Sequence, residues 1–140
     1  KISPDIAEKE ILNINEIIKK FRIDGIILTN TTNQNREALI DINKHENGGL
    51  SGPILHKLSL KFIKIFYKLN KGNLPIIGVG GVDSGKSAFE KITSGATAIQ
   101  LYTGMVYKGP GIIKNIKQEL IEILKKEKIK NIQQAVGINS

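Results

Sequence analysis

An α/β fold with a parallel sheet, built from about four β/α units, is what the sequence predicts, and three observations carry it. Short continuous apolar runs alternate with longer segments whose apolar residues recur at helical spacing. Clusters of glycine, asparagine and proline punctuate the joins. The alternation is strict, which implies parallel pairing with right-handed crossovers. Four such units make half of a (β/α)8 barrel.

Lys1-Ile2-Ser3-Pro4 reads as the end of a strand. A helix over residues 6–20 is expected next, with Asp5 as its N-cap and Ile11, Leu12, Ile14, Ile17 and Ile18 as its apolar stripe. Gly25-Ile26-Ile27-Leu28-Thr29 has the continuous apolar character of a strand buried on both faces. It exits into Asn30-Thr31-Thr32-Asn33. These amides and hydroxyls serve either as turn-formers or as the lining of a pocket for a small polar ligand. Their place at the carboxyl end of a parallel strand favours the pocket.

Residues 34–47 form a long polar connection holding Arg36, Asp41 and His45, with the length of a lid or binding loop and disorder as the competing reading. Gly48-Gly49-Leu50-Ser51-Gly52-Pro53 closes it, either as a turn capped by Ser51 or as backbone brought close to a flat or phosphorylated ligand. A helix over residues 54–69 has Leu58, Phe62, Ile65, Phe66 and Leu69 on one face, and Asn70-Lys71-Gly72-Asn73 stops it.

Residues 74–85, Leu-Pro-Ile-Ile-Gly-Val-Gly-Gly-Val-Asp-Ser-Gly, organise the rest. Pro75 opens a strand that breaks into Gly78, Gly80 and Gly81, and Asp83 or Ser84 caps the helix carrying Ala88, Phe89 and Ile92. Glycine lets backbone approach a ligand, and the free N–H groups of such a turn hold anions. The motif by itself is also compatible with a merely tight connection. A second unit, residues 95–104, repeats it: a glycine, a short strand, then Tyr102-Thr103-Gly104. Two adjacent strand ends then present N–H groups and hydroxyls at one level, as in the phosphate site after the last two strands of a barrel. Lys108-Gly109-Pro110 leads into a helix over residues 111–126 with Ile112, Ile113, Ile116, Leu120, Ile123 and Leu124 inward, and a short segment at residues 131–136 ends at Gly137.

Composition narrows the function. With 140 residues, 40% hydrophobic and 24% charged, the chain has the size and balance of one folded domain. It has no cysteine and only two histidines, His45 and His56, so no metal site is expected, and both are read as loop or helix-surface residues. Phe66 and Tyr67 are read as packing groups. No run approaches the length of a membrane span, and no apolar core follows the first residues as in a signal peptide. The net charge of +8 comes from lysines scattered over helix surfaces with few aromatics between them, which reads as solvated faces with no nucleic-acid partner.

Lys1-Ile2-Ser3-Pro4-Asp5, Thr29-Asn30-Thr31-Thr32, Gly48-Gly49-Leu50-Ser51-Gly52, the run from Pro75 to Gly81, and Gln100-Leu101-Tyr102-Thr103 with Tyr107-Lys108-Gly109-Pro110 together resemble the carboxyl-terminal half of dihydroorotate dehydrogenase, most nearly its quinone-dependent, membrane-associated class. The match runs in order from Lys1 to about Gly137. The resemblance implies the second half of a TIM (β/α)8 barrel and an FMN enzyme that oxidises dihydroorotate to orotate in pyrimidine synthesis, with quinone as electron acceptor. It implies Lys1 and Thr29 beside the flavin ring, Gly52, Gly81, Tyr102 and Thr103 as FMN ring and phosphate contacts, and Asn30 and Thr31 as the pair that hydrogen-bonds orotate; the glycine-turn reading adds Gly80 beside the phosphate. The catalytic base, a serine in that class, belongs to a loop of the other half, so no catalytic residue is assigned in this chain.

Residues 1–140 are therefore expected to be a partial barrel domain, with the preceding half, the quinone tunnel and the membrane contact supplied by an amino-terminal region. Four strands alone leave open edges and an unfilled interior. The rival readings are a flavin-free, phosphate-gripping barrel isomerase or synthase, which has no need of the Thr29–Thr32 run, and a basic nucleic-acid binder resting on charge.

Overall fold

The computed structural model describes residues 1–140 except Asn35 and Ala38, two positions of the expected connection at residues 34–47 that therefore lie outside the described residues. The sheet consists of β1 (Ile26–Leu28), β2 (Ile76–Gly78) and β3 (Ala98–Ile99), adjacent in that order and parallel throughout. Ile27 pairs with Ile77, and Ile77 with Ala98. Ile2 extends the sheet beyond β1 by a single parallel bridge to Leu28, its N–H donating to the Ile27 carbonyl at 3.0 Å. The first expected strand is thus reduced to a bridge. Pro4, with no N–H to donate, turns the chain out of the ladder.

Helices α1 (Glu8–Lys20), α2 (His56–Leu69), α3 (Gly85–Thr93) and α5 (Ile112–Lys126) alternate with these strands, and a short helix α4 (Thr103–Lys108) follows β3. The larger core joins Ile11 and Ile18 of α1 and Phe62, Ile63 and Phe66 of α2 to Ile26, Leu28 and Ile76 of the sheet. The smaller one joins Val82 and Ala88 to Ile112 and Ile116 of α5. Ile27 and Ile77, which point to the other face of the sheet, are only half-buried. This is the geometry of a barrel arc: helices cover the outside, and the described residues leave the inside partly open.

Several local expectations need correction. Asp5 does not cap α1. Ala7 occupies that position, and its N–H donates to the Glu10 carboxylate at 2.8 Å. The buried line of α1 runs through Ile11, Asn15 and Ile18 at i, i+4 and i+7. Leu12 and Ile17 sit about 100° to either side of that line and are more than half exposed. Ile113 of α5 is likewise exposed.

Ser51 caps no helix either. A 3-10 turn over Pro53–Leu55 begins at Gly52 and runs directly into α2. Ser84, by contrast, caps α3 as expected, accepting from the Ser87 N–H at 3.2 Å. Phe66 is fully buried, and Tyr67 packs against the same core, as expected of packing groups. His56 is no free surface residue: only 19% of its side chain is exposed, and Nε2 lies 2.6 Å from the Glu90 carboxylate of α3.

Candidate functional site

The carboxyl ends of the parallel strands open onto one cavity of about 350 Å³, within the range of small-molecule sites. Lys1, Thr29, Asn30 and Thr31 line it from the β1 side. Gly52 enters from the glycine cluster before α2, Gly80 and Gly81 from the turn after β2, and Tyr102 and Thr103 from the end of β3. Every residue that the sequence singled out for the site therefore borders the same space, and Gly81 shares a rim with Tyr102, Thr103 and Asn30.

Short contacts between the loops hold this rim together. The Asn30 N–H donates to the Ile2 carbonyl at 2.8 Å, which keeps the segment carrying Lys1 alongside the exit of β1. The Val79 N–H donates to the Leu28 carbonyl at 2.7 Å. Ser59 of α2, fully buried, donates to the Val79 carbonyl at 2.6 Å and so fixes the turn after β2 from below. Thr103 Oγ1 donates to Ser51 Oγ at 2.9 Å, joining the glycine cluster to the start of α4. Gly104 comes so close to the turn after β2 that a Cβ on it would lie 2.6 Å from the Val82 carbonyl oxygen.

Two features bear on the kind of ligand the cavity fits. Among the described residues, the backbone N–H groups of Gly80, Gly81, Thr103 and Gly104 have no protein acceptor. They border the cavity, which suits the phosphate oxygens of a ligand better than a neutral group. Thr29 Oγ1, in a residue 1% exposed, also has no hydrogen-bond partner among the described residues. A buried hydroxyl left without a partner costs about 1–3 kcal/mol, and a polar ring edge at the cavity wall would satisfy it. Leu55, Val79 and Leu101 supply apolar surface between these polar ends. The donor set fits a phosphorylated molecule carrying a flat polar ring.

Charge at the site is arranged in one pair. Lys108 Nζ donates to the Asp83 carbonyl at 3.0 Å and to its carboxylate at 3.2 Å, and both residues border the cavity. Partial burial pushes the Asp83 carboxyl upward, but the Lys108 ammonium and the hydroxyls of Ser84 and Ser87 outweigh it and hold the group below its usual value. Asp83 is therefore a carboxylate at neutral pH. It fixes Lys108 at the rim rather than serving as a proton acceptor.

Sequence reasoning missed Ser51 as a partner of Thr103, Ser59 beneath the β2 turn, and the Asp83–Lys108 pair. Each partner lies 20 or more residues away along the chain, beyond the reach of any local pattern. The connection at residues 34–47 has an organiser in Arg36, whose guanidinium donates to the Lys44 carbonyl at 2.9 Å, to the Glu46 carbonyl at 3.0 Å and to the Gly48 carbonyl. No group of three or more potential metal ligands occurs among the described residues. No helix among them is long and apolar enough to cross a membrane.

The chain resembles known proteins over nearly its whole length. The family model described as Dihydroorotate dehydrogenase matches residues 1–124. The dihydroorotate dehydrogenase (quinone) of Trichodesmium erythraeum is 46% identical across 99% of this chain, which covers 38% of that protein. The mitochondrial dihydroorotate dehydrogenase (quinone) of Arabidopsis thaliana is 41% identical across 98% of the chain, which covers 30% of it. The ligand-free DHODH structure from Eimeria tenella superposes with a TM-score of 0.95 at 40% identity, over 99% of this chain and 38% of that one. The chain thus spans about a third of the length of these relatives. With a family match over most of its length and a fold superposing on a solved member, the chain belongs to the dihydroorotate dehydrogenase family.

Proposed function

We propose that this chain is the carboxyl-terminal part of a quinone-dependent dihydroorotate dehydrogenase, which oxidises dihydroorotate to orotate in pyrimidine synthesis with FMN as cofactor. The observation that carries this reading is the single cavity bordered by Lys1, Thr29, Asn30, Thr31, Gly81 and Thr103. The free N–H groups of Gly80, Gly81, Thr103 and Gly104 suit the phosphate of FMN, and the unpartnered Thr29 hydroxyl and the Lys1 ammonium suit the polar edge of its ring. Gly52 and Tyr102 border the same space and complete the cofactor contacts. When bound, flavin would supply the acceptor for the hydride, with its two electrons, that leaves the substrate.

The residues of this chain bind and orient. Lys1 would place its ammonium beside the polar edge of the ring, where it would offset negative charge on a reduced flavin. Asn30 and Thr31 offer amide and hydroxyl groups that fix a planar, polar substrate by hydrogen bonds and hold it in one orientation. No proton acceptor for the substrate is assigned here; the base belongs to the preceding half. That half also completes the barrel and supplies the quinone path and the contact with a bacterial cytoplasmic or mitochondrial inner membrane. The exposed apolar residues of the outer helices, Leu12 and Ile17 on α1 and Ile113 and Ile121 on α5, support a missing neighbour on each side.

The test is to purify the chain alone and joined to its amino-terminal half, and to record flavin absorbance, oligomeric state and dihydroorotate oxidation. The joined polypeptide is expected to be yellow, to release FMN on denaturation and to reduce a quinone. A joined polypeptide without flavin would overturn the reading. A monomeric, yellow and active 140-residue chain would overturn its status as a part.

Gly49 gives a narrower check on the substrate pair. A Cβ at this position would run into the Thr31 hydroxyl and lie 2.5 Å from Thr31 Cβ, so side-chain rotation cannot relieve the contact and Thr31 has to shift as a whole. Gly49→Ala in the joined polypeptide is expected to weaken orotate binding about tenfold, the loss of about one hydrogen bond. Flavin content should remain unchanged. Titration of flavin absorbance with orotate reads both.

A further inference from the structure

We infer that Asp5, which does not border the cavity, is a positioning residue that fixes Asn30 and Thr31 for the substrate; the inference rests on the proposed reaction. Its carboxylate accepts from the Thr32 hydroxyl through one oxygen and from the Asn33 N–H, at 2.8 Å, through the other. Thr32 is 1% exposed, and its hydroxyl oxygen also accepts from the Gln34 N–H at 3.0 Å. The hydroxyl proton is thereby directed at Asp5. A hydrogen bond to an ionised carboxylate is about twice as strong as one between neutral groups.

The consequence concerns the two residues just before Thr32. Asn30 is tied at its backbone to Ile2, since its N–H donates to the Ile2 carbonyl at 2.8 Å. Thr32 is tied in both directions to Leu50, donating to its carbonyl at 3.2 Å and accepting from its N–H at 2.7 Å. Asp5 joins the two anchors, because it belongs to the same segment as Ile2 and grips the Thr32 side chain, whose backbone is bonded to Leu50. Asn30 and Thr31 are a short span fixed at both ends. Side chains that must hold a planar molecule gain most from such fixing, since binding then orders little that is not already ordered.

The test uses the full-length enzyme. Asp5→Asn keeps the shape but leaves one acceptor oxygen for two donors, Thr32→Val removes the hydroxyl, and Thr32→Ser restores it. The first two are expected to raise KM for dihydroorotate about tenfold while kcat and flavin content stay within about twofold. Thr32→Ser should recover KM. Unchanged KM in both, or a fall in kcat and flavin content with KM unaltered, would overturn the inference.

Amide hydrogen exchange over residues 29–33 reads the anchor independently of any substrate. Exchange at Asn33 is expected to quicken at least tenfold in Asp5→Asn, and unchanged exchange would overturn the inference whatever reaction the enzyme catalyses. A wild-type enzyme that fails to oxidise dihydroorotate, alongside quickened exchange, would overturn the proposed reaction and support the anchor.

Discussion

Gly81→Ala is expected to destabilise the fold by about 2–5 kcal/mol and to leave the protein without bound flavin. Gly81 has φ of +70°, a backbone that an L side chain adopts at a cost of about 1–2 kcal/mol. A Cβ there would also lie 2.8 Å from His56 Cβ, 2.9 Å from its backbone nitrogen and 3.0 Å from its Cα. Forcing atoms into such a contact costs about a further 1–3 kcal/mol. His56 has little room to retreat. It opens α2, and its ring is held 2.6 Å from Glu90 of α3. The strain then displaces the Gly80–Gly81 turn, and the N–H groups facing the cavity lose their common aim.

Urea unfolding of Gly81→Ala and the parent, with flavin absorbance after dialysis, decides the matter. A loss of stability below about 1 kcal/mol, less than the backbone cost alone, or flavin retained in Gly81→Ala, would mean that α2 does not press on the turn.

The parts of the fold legible in the sequence are those whose signal is local. β1 and β2 are buried parallel strands, so Ile26 to Leu28 and Ile76 to Ile77 appear as uninterrupted apolar runs, and the glycines that end β2 mark the turn directly. The polar and glycine-rich exits at Asn30, Thr31, Gly80, Gly81 and Thr103 were legible for the same reason, and they border one cavity, whereas Lys1, Thr29, Gly52 and Tyr102 were assigned to it only by the family resemblance. What escaped depends on partners distant in sequence. Asp5 stands just before an apolar-periodic helix and so reads as its cap, while its actual partner, Thr32, lies 27 positions on.

Other residues escaped because local character and burial diverge. Leu12, Ile17 and Ile113 carry the periodicity of a core stripe, yet they lie to the side of the buried line of their helices and stay exposed. α4 is six residues long, too short for a helical period to register. His56 looked like a surface histidine because nothing in its own helix reveals Gly81 above it or Glu90 beside it.

Lys91 is the largest such divergence, and replacing it by methionine is expected to stabilise the protein by about 2–3 kcal/mol at pH 7. The sequence gives it the appearance of a solvated lysine on α3, but its exposure is 0%, and its ammonium has no hydrogen-bond partner among the described residues. Its stem lies against Gly78, where a Cβ would come within 3.2 Å of Lys91 Cδ. Burial lowers its pKa from 10.5 to about 8, with the neighbouring Glu90 carboxylate opposing the shift. At about 1.4 kcal/mol per unit that gap amounts to about 3 kcal/mol.

The sign follows from proton uptake. Between about pH 8 and 10.5 the unfolded chain holds the proton and the folded one does not, so stability rises with pH across that window. Below it the amine is charged in both states, and the folded protein bears the whole cost of burying it. Lys91→Met fills nearly the same volume without a charge, so its advantage is fully present at pH 7 and shrinks as pH approaches 10.5. Urea unfolding of both proteins at pH 7 and pH 10 measures the difference directly. A variant less stable than the parent, or an advantage that does not change with pH, would show that the folded protein does give the Lys91 ammonium a partner.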